Sequence, residues 1–173
     1  MELLDLYDCR RQLTGRTMVR GEMPPAGLYG QVIHVCIFNS RGEMLIQQRQ
    51  PWKTWGDLWD VSVGGSVSAG ENSQQGAHRE LLEELGLDAD FSDMAPALTT
   101  TFTRGFDDFF VLRMYLDPAR LRLQESEVRA ARWASRSEVM DLLDRGEFIP
   151  YQKGLMDYLF FRADHNGDFD IRN

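Results

Sequence analysis

Residues 64–87 read GGSVSAGENSQQGAHRELLEELGL, and how this stretch folds decides the rest of the chain. Asn72 with Gln75 three residues on has capping-box spacing, and Gly86 supplies a C-terminal stop, so a short helix runs between them. At about 3.6 residues per turn, Ala77, Leu81, Leu82 and Leu85 fall on one side and Glu80, Glu83 and Glu84 on another. Like charges one turn apart cost about 0.2–0.5 kcal/mol per pair. Such a cluster is either a solvated acidic face or the oxygen ligand set of a hard divalent cation. Two neighbours favour the cation. Gly64 and Gly65 end a strand where a backbone carbonyl can join the site, and Arg79 stands beside Glu80, able to orient a carboxylate through a bidentate contact.

The chain has 173 residues, a length that suits one compact domain. Its 27 acidic residues outweigh 19 basic ones for a net charge of −8, which argues against a surface that grips a nucleic-acid polymer. A small phosphorylated substrate with a divalent metal stays compatible with that balance. Cys9 and Cys36 form no CxxC pair, so a disulfide framework is not expected and a cytoplasmic location is. The opening MELLDLYDCRRQL lacks the apolar core of a signal peptide, and no apolar run approaches the roughly 18 residues of a membrane span.

VRGEMPPAGLYG is the richest turn segment and divides an N-terminal piece, 1–29, from a core over 30–160 and a tail over 161–173. QVIHVCIF and EMLIQQR, joined through NSRG, predict a β-hairpin, and WDVSVGG predicts a third strand ending in glycines. ALTTTFT and DDFFVLRMYLD read as strands around a turn at Gly105, with Asp107 and Asp108 as turn residues. VRAARWAS is a further strand. Ser135 with Glu138 opens a helix through EVMDLLDRG, and YQKGLMDYLFFRA is the last helix. DHNGDFD echoes the start of a calcium-binding loop, but it has no glycine at its sixth position and no closing glutamate, and it reads as a polar C-terminus. Strands interleaved with helices predict an α/β or α+β sandwich.

Gly65, five residues, Glu71, seven residues, then Arg79-Glu80-Leu81-Leu82-Glu83-Glu84-Leu85-Gly86-Leu87 resembles the complete Nudix box, without a departure. The resemblance covers about residues 30–160. It implies a Nudix-type α/β/α sandwich with a mixed β-sheet between helices. It also implies a single-domain, Mg²⁺- or Mn²⁺-dependent pyrophosphohydrolase, cleaving the diphosphate bond of a nucleoside diphosphate linked to another moiety, or a similar small diphosphate. Carried over residue by residue, Glu83 and Glu84 ligate metal with help from the Gly65 carbonyl. Glu80 ligates metal or acts as general base, and Arg79 orients it. Glu80, Arg79 and Glu83 are thus the catalytic group, and Glu71 stabilises the loop and helix. Glu127, near Glu125, either completes the metal site or is a solvated loop residue. Homodimers are common in the family.

IFNSRGEMLIQQRQPWKTWGDLWDVSVGG more closely resembles the branch related to isopentenyl diphosphate isomerase, which shares the Arg49–Lys53–Trp59 spacing. There the two cations bind diphosphate; otherwise Arg49 and Lys53 are surface cations at a hairpin end. The isomerases place a catalytic cysteine followed by Gly-His where this chain has Gly64-Gly65-Ser66, so hydrolysis is the expectation. An isomerase-like enzyme and a non-catalytic diphosphate sensor are the rivals. Cys36, mid-strand, reads as a small buried hydrophobe and His34 as structural. Trp52, Trp55 and Phe102 either stack a base or pack.

Overall fold

The computed structural model describes residues 2–165 of the chain. Its N-terminal piece is not a plain lead-in. β1 (Leu3–Tyr7) and β2 (Leu13–Val19) form an antiparallel hairpin with Leu3 opposite Val19. The alternation that buries Leu4 and Leu6 and turns Leu3 outward is present in LLDLY, but five residues make a weak signal. Backbone bonds seat this hairpin on the main body: Tyr7 and Tyr29 exchange two at 2.9 Å, and Ala69 N donates to Leu3 O at 2.8 Å.

The main sheet contains β3 (Gly30–Phe38), β4 (Met44–Arg49), β5 (Trp59–Asp60), β6 (Val63–Ser66), β7 (Leu98–Phe102), β8 (Gly105–Arg113) and β9 (Val128–Ala134). The order is β5-β4-β3-β8-β7, with β6 pairing β3 and β9 pairing β4. β3 and β8 run parallel and the other pairs antiparallel, so the sheet is mixed as expected. β3 serves two cores because successive side chains leave opposite faces. Ile33, Val35 and Ile37 pack under α1 (Ser73–Leu85) with Leu81, Leu85 and Phe110. Cys36 and Phe38 pack with Phe109 and Phe148 under α2 (Arg136–Asp144) and α3 (Lys153–Asp164). The result is a helix–sheet–helix sandwich.

Four expectations need correction. The predicted hairpin meets at one register position, Phe38 opposite Met44, and beyond it the strands splay apart. The segment predicted as one strand, WDVSVGG, fills the wedge as two: β5 on β4, then β6 on β3. Ser62 stands at the switch, fully buried. Its hydroxyl accepts from Ile37 N at 2.8 Å and donates to Leu45 O at 2.6 Å, replacing the ladder bonds that the splay removes. Asp107 and Asp108 are not turn residues but lie inside β8. Asp108 is fully buried and accepts from Thr99 Oγ1 at 2.6 Å, Ser73 Oγ at 2.6 Å and Gln31 Nε2 at 2.8 Å, and pairs with Arg11. It ties the hairpin, β3, β7 and the start of α1 to one carboxylate. Leu82 is 44% exposed, off the inner face it was assigned to.

α3 begins at Lys153, two residues late, which leaves Tyr151 outside the helix, where its hydroxyl donates to Asp60 Oδ1 at 2.9 Å. The DHNGDFD reading falls largely outside the described residues. Among the described residues no helix is long and apolar enough to cross a membrane. Because Ser62 answers two buried backbone groups, Ser62→Ala should lower unfolding free energy by about 1–3 kcal/mol in a urea titration. An unchanged midpoint would show that another group or water takes both bonds.

Candidate functional site

The α1 helix is fixed at both ends before its chemistry begins. Asn72 accepts from Gln75 N at 2.8 Å and Gln75 Oε1 accepts from Asn72 N at 2.9 Å, the expected capping box. Gly86 ends the helix at φ 66°, the left-handed region that glycine enters without a Cβ penalty. The three glutamates divide by helix angle. Stepping about 100° per residue puts Glu80 and Glu84 beside Ala77 on the inner stripe and Glu83 outside it. Glu80 is 5% exposed and Glu84 4% exposed, whereas the Glu83 side chain is half exposed. The expected clean separation of leucine and glutamate faces does not hold.

Arg79 organises the outer part of the site. Its Nε donates to Glu71 Oε1 at 2.9 Å, Nη1 to Glu80 Oε1 at 2.8 Å and Glu83 Oε2 at 3.4 Å, and Nη2 to Glu71 Oε2 and Ser66 O at 3.0 Å each. Glu71 also accepts from Ser68 N at 3.1 Å, so it anchors Arg79 and the loop, which agrees with its expected stabilising part. Gly65 is required sterically. A Cβ there would overlap the Glu80 carboxyl, so the glycine lets that carboxylate lie against the end of β6.

Glu84 has a different environment. It accepts from Gln47 Nε2 at 2.9 Å, and no cation is paired with it among the described residues. Burial first, and then the charges of Glu80, Asp60 and Glu127, push its pKa up to about 8. Burial likewise raises Glu80, opposed by the Arg79 hydrogen bond and charge. Gln47 Oε1 is buried with no partner. Two buried carboxylates and an unanswered amide oxygen are hard donors, and this set fits a divalent cation.

The other expected residues lie near this set, each engaged with a group of the chain. Glu127 pairs with Lys53. Arg49 contacts Asp60 at 3.3 Å and donates through Nε to Thr54 O at 2.9 Å. Among the described residues no three His, Cys, Asp or Glu side chains form a ready metal cage. Cys36 is buried and Cys9 exposed. Trp52 and Trp55 are exposed at 69% and 53%, so these rings are not core packing. Phe102 is likewise exposed at 46%.

Sequence reasoning missed Gln47 and Asp60. A polar pair interrupting the apolar run MLIQQR was the available signal for Gln47. Asp60, 2% exposed, accepts from its neighbour Val61 N and also from Arg49 and Tyr151, which reach it from other parts of the chain. His34 was read as structural, and it is stacked on Phe109 at 4.5 Å and 3.3 Å from Asp107.

Residues 28–157 match the family described as the NUDIX domain. This chain belongs to the Nudix family. It is 45% identical over 152 residues to an uncharacterised Nudix hydrolase of Listeria monocytogenes, covering 87% of this chain and 90% of that one. An isopentenyl-diphosphate Delta-isomerase of Pectobacterium atrosepticum is 36% identical over 104 residues, 60% of this chain and 56% of the other. A crystal structure from Deinococcus radiodurans superposes with a TM-score of 0.74 at 24% identity, covering 95% of this chain and all of that one. As a Nudix pyrophosphohydrolase, the enzyme acts on acid anhydrides in phosphorus-containing compounds, and its family generally uses a divalent metal.

The Glu84 environment makes a pH prediction. Its folded pKa lies above the usual carboxylate value, so its stabilising contribution is present below about 4.5 and is lost as pH rises through about 8. In chelator, wild-type Tm should therefore fall relative to Glu84→Gln between pH 6 and pH 9 (values chosen to bracket that loss), and Mg²⁺ should restore more stability at the higher pH. A Tm difference flat across that range would show that Glu84 is solvated.

Proposed function

We propose that the enzyme hydrolyses the diphosphate bond of a nucleoside diphosphate linked to another moiety, or of a similar small diphosphate, with Mg²⁺ or Mn²⁺ held by Glu80, Glu84 and the Gly65 carbonyl. The observation that carries this reading is the burial of Glu80, which lies against Gly65, and of Glu84 one turn on, with no cation of the chain on Glu84 among the described residues. Burial of two neighbouring carboxylates is costly unless a positive charge joins them. Glu83, now beside Arg79, and Glu127, now paired with Lys53, would be the further ligands of that cation. When bound, that cation neutralises phosphate oxygens and acidifies water.

The residues of the chain do the rest. Glu80, 2.8 Å from Arg79 and wedged on Gly65, is held in one orientation, which suits a base that removes a proton from attacking water. Glu83 lies at the solvent edge of the same guanidinium, where it can take up a ligand without leaving a buried void. Arg49, beside Asp60, and Lys53, paired with Glu127, would contribute positive charge for the diphosphate. The chain is expected to act in the cytoplasm on a small molecule, and a homodimer is compatible with the family.

The isomerase reading has sequence similarity behind it. Against it stands the site of the missing thiol: a Cβ at Gly64 would come within 2.9 Å of His34 Nδ1, and that ring is fixed between Phe109, Tyr151 and Asp107. A cysteine side chain there would require the His34 ring to shift.

Glu84→Gln should reduce phosphate release with Mg²⁺ by about 10²–10⁴-fold, a range typical of losing an essential charged group, while circular dichroism stays native. A folded variant with near wild-type turnover would remove Glu84 from the metal set. Isopentenyl diphosphate converted to an allylic product without phosphate release would favour the isomerase instead.

A further inference from the structure

A cavity of about 420 Å³ opens between the β1–β2 hairpin, the loop that follows it and the β7–β8 turn. Its walls are mostly apolar and include Leu4, Met18, Met23, Val32 and Phe102. Met23 is 72% exposed and Phe102 46%, so apolar surface faces water at a concave place, the usual condition of an empty ligand site. Two cations, Arg20 and Arg104, and one carboxylate, Glu22, share the lining. Arg104 is anchored on Pro24 O, and Arg20 contacts Glu2 at 2.7 Å.

Continuity with the carboxylate site follows from three observations. Ser66 lines the cavity, adjoins Gly65 in sequence, and accepts from Arg79 Nη2 at 3.0 Å. The positive charge of Arg20 acts on the Glu80 carboxyl, opposing the rise that burial causes. The hairpin that forms one wall is hydrogen-bonded to the loop of the box itself, with Ala69 N donating to Leu3 O and Gly70 N to Asp5 Oδ2 at 2.7 Å. The lining from Leu4 to Pro24 precedes the family-matched stretch 28–157, so the box and this wall are separate contributions of the chain to one place.

We propose that this cavity is the subsite for the organic part of the substrate and selects diphosphates whose non-phosphate group is apolar. The inference rests on the diphosphatase reading above and adds its substrate class. A hydroxyl-rich group would lose water here without finding enough polar partners, whereas an alkyl group gains from the same walls. Arg20 and Arg104 outnumber Glu22 in the lining, so the positive balance suits the phosphate end of an anion with an apolar tail. Selectivity then comes from the N-terminal hairpin and its following loop, while bond cleavage belongs to the box.

The test uses linear monoalkyl diphosphates from methyl to octyl and a sugar diphosphate, each with Mg²⁺. Phosphate release gives kcat/KM, and calorimetry gives Kd. Both should improve by about fourfold per methylene until the cavity is filled, and the sugar compound should be the poorer substrate. Met23→Glu, a change at an exposed position, should flatten that slope, as should Phe102→Asp. Hydrolysis with no dependence on chain length, or preference for the sugar compound, overturns the subsite while leaving the diphosphatase reading intact. Chain-length-dependent binding without hydrolysis supports the subsite and sinks that reading. Absence of both binding and hydrolysis sinks both. A flat slope together with a dimer that Met23→Glu dissociates in sedimentation would give the cavity to a second copy of the chain and overturn the proposal.

Discussion

Two carboxylates buried one turn apart on the inner stripe of a helix are the constraint around which this structure is arranged. Each would be cheaper in water, and together they repel. Three local features hold Glu80 in place all the same. Arg79 answers it from one side, Gly65 removes the Cβ that would occupy its space, and the cap at Asn72 sets the helix register that aims it inward. Glu84 receives one amide and otherwise faces negative charge. In the proposed reading a divalent cation supplies the positive charge that Glu84 lacks.

The sheet is what allows Gly65 to reach that helix. Because β3 and β4 part after a single paired position, the chain returning from β4 is drawn into the wedge between them and ends against β3. Ser62 closes the wedge with two hydrogen bonds where a regular ladder would have had backbone groups. The next glycines face opposite ways. Gly64 lies against His34 and Gly65 against Glu80, so two consecutive positions without side chains serve the two sides of one sheet.

Much of this was legible in GGSVSAGENSQQGAHRELLEELGL. Its caps, its stop and its box spacing are short-range features, and short-range features survive in one sequence. The mixed sheet and flanking helices followed from the box. What was not legible depends on long-range contacts. Ser62 looks like any serine in an alternating strand until Ile37 and Leu45 are brought to it. Asp108 looks like a turn residue until Arg11, Gln31, Ser73 and Thr99 converge on it from four parts of the chain. Helical periodicity separated leucines from glutamates too cleanly, because it cannot tell which arc the sheet will cover; the sheet covers Glu80 and Glu84 and leaves Leu82 out. The hairpin over residues 3–19 was passed over because two short alternating runs carry little weight before their pairing is seen.

The central claim is that the buried pair on α1, with Gly65, is where the divalent cation binds. The most direct measurement is an anomalous difference map from crystals grown with Mn²⁺. The account predicts the strongest peak within bonding distance of the Glu80 and Glu84 carboxylates and the Gly65 carbonyl. A strongest peak at the outer edge near Glu83 alone, or away from α1 altogether, would contradict it.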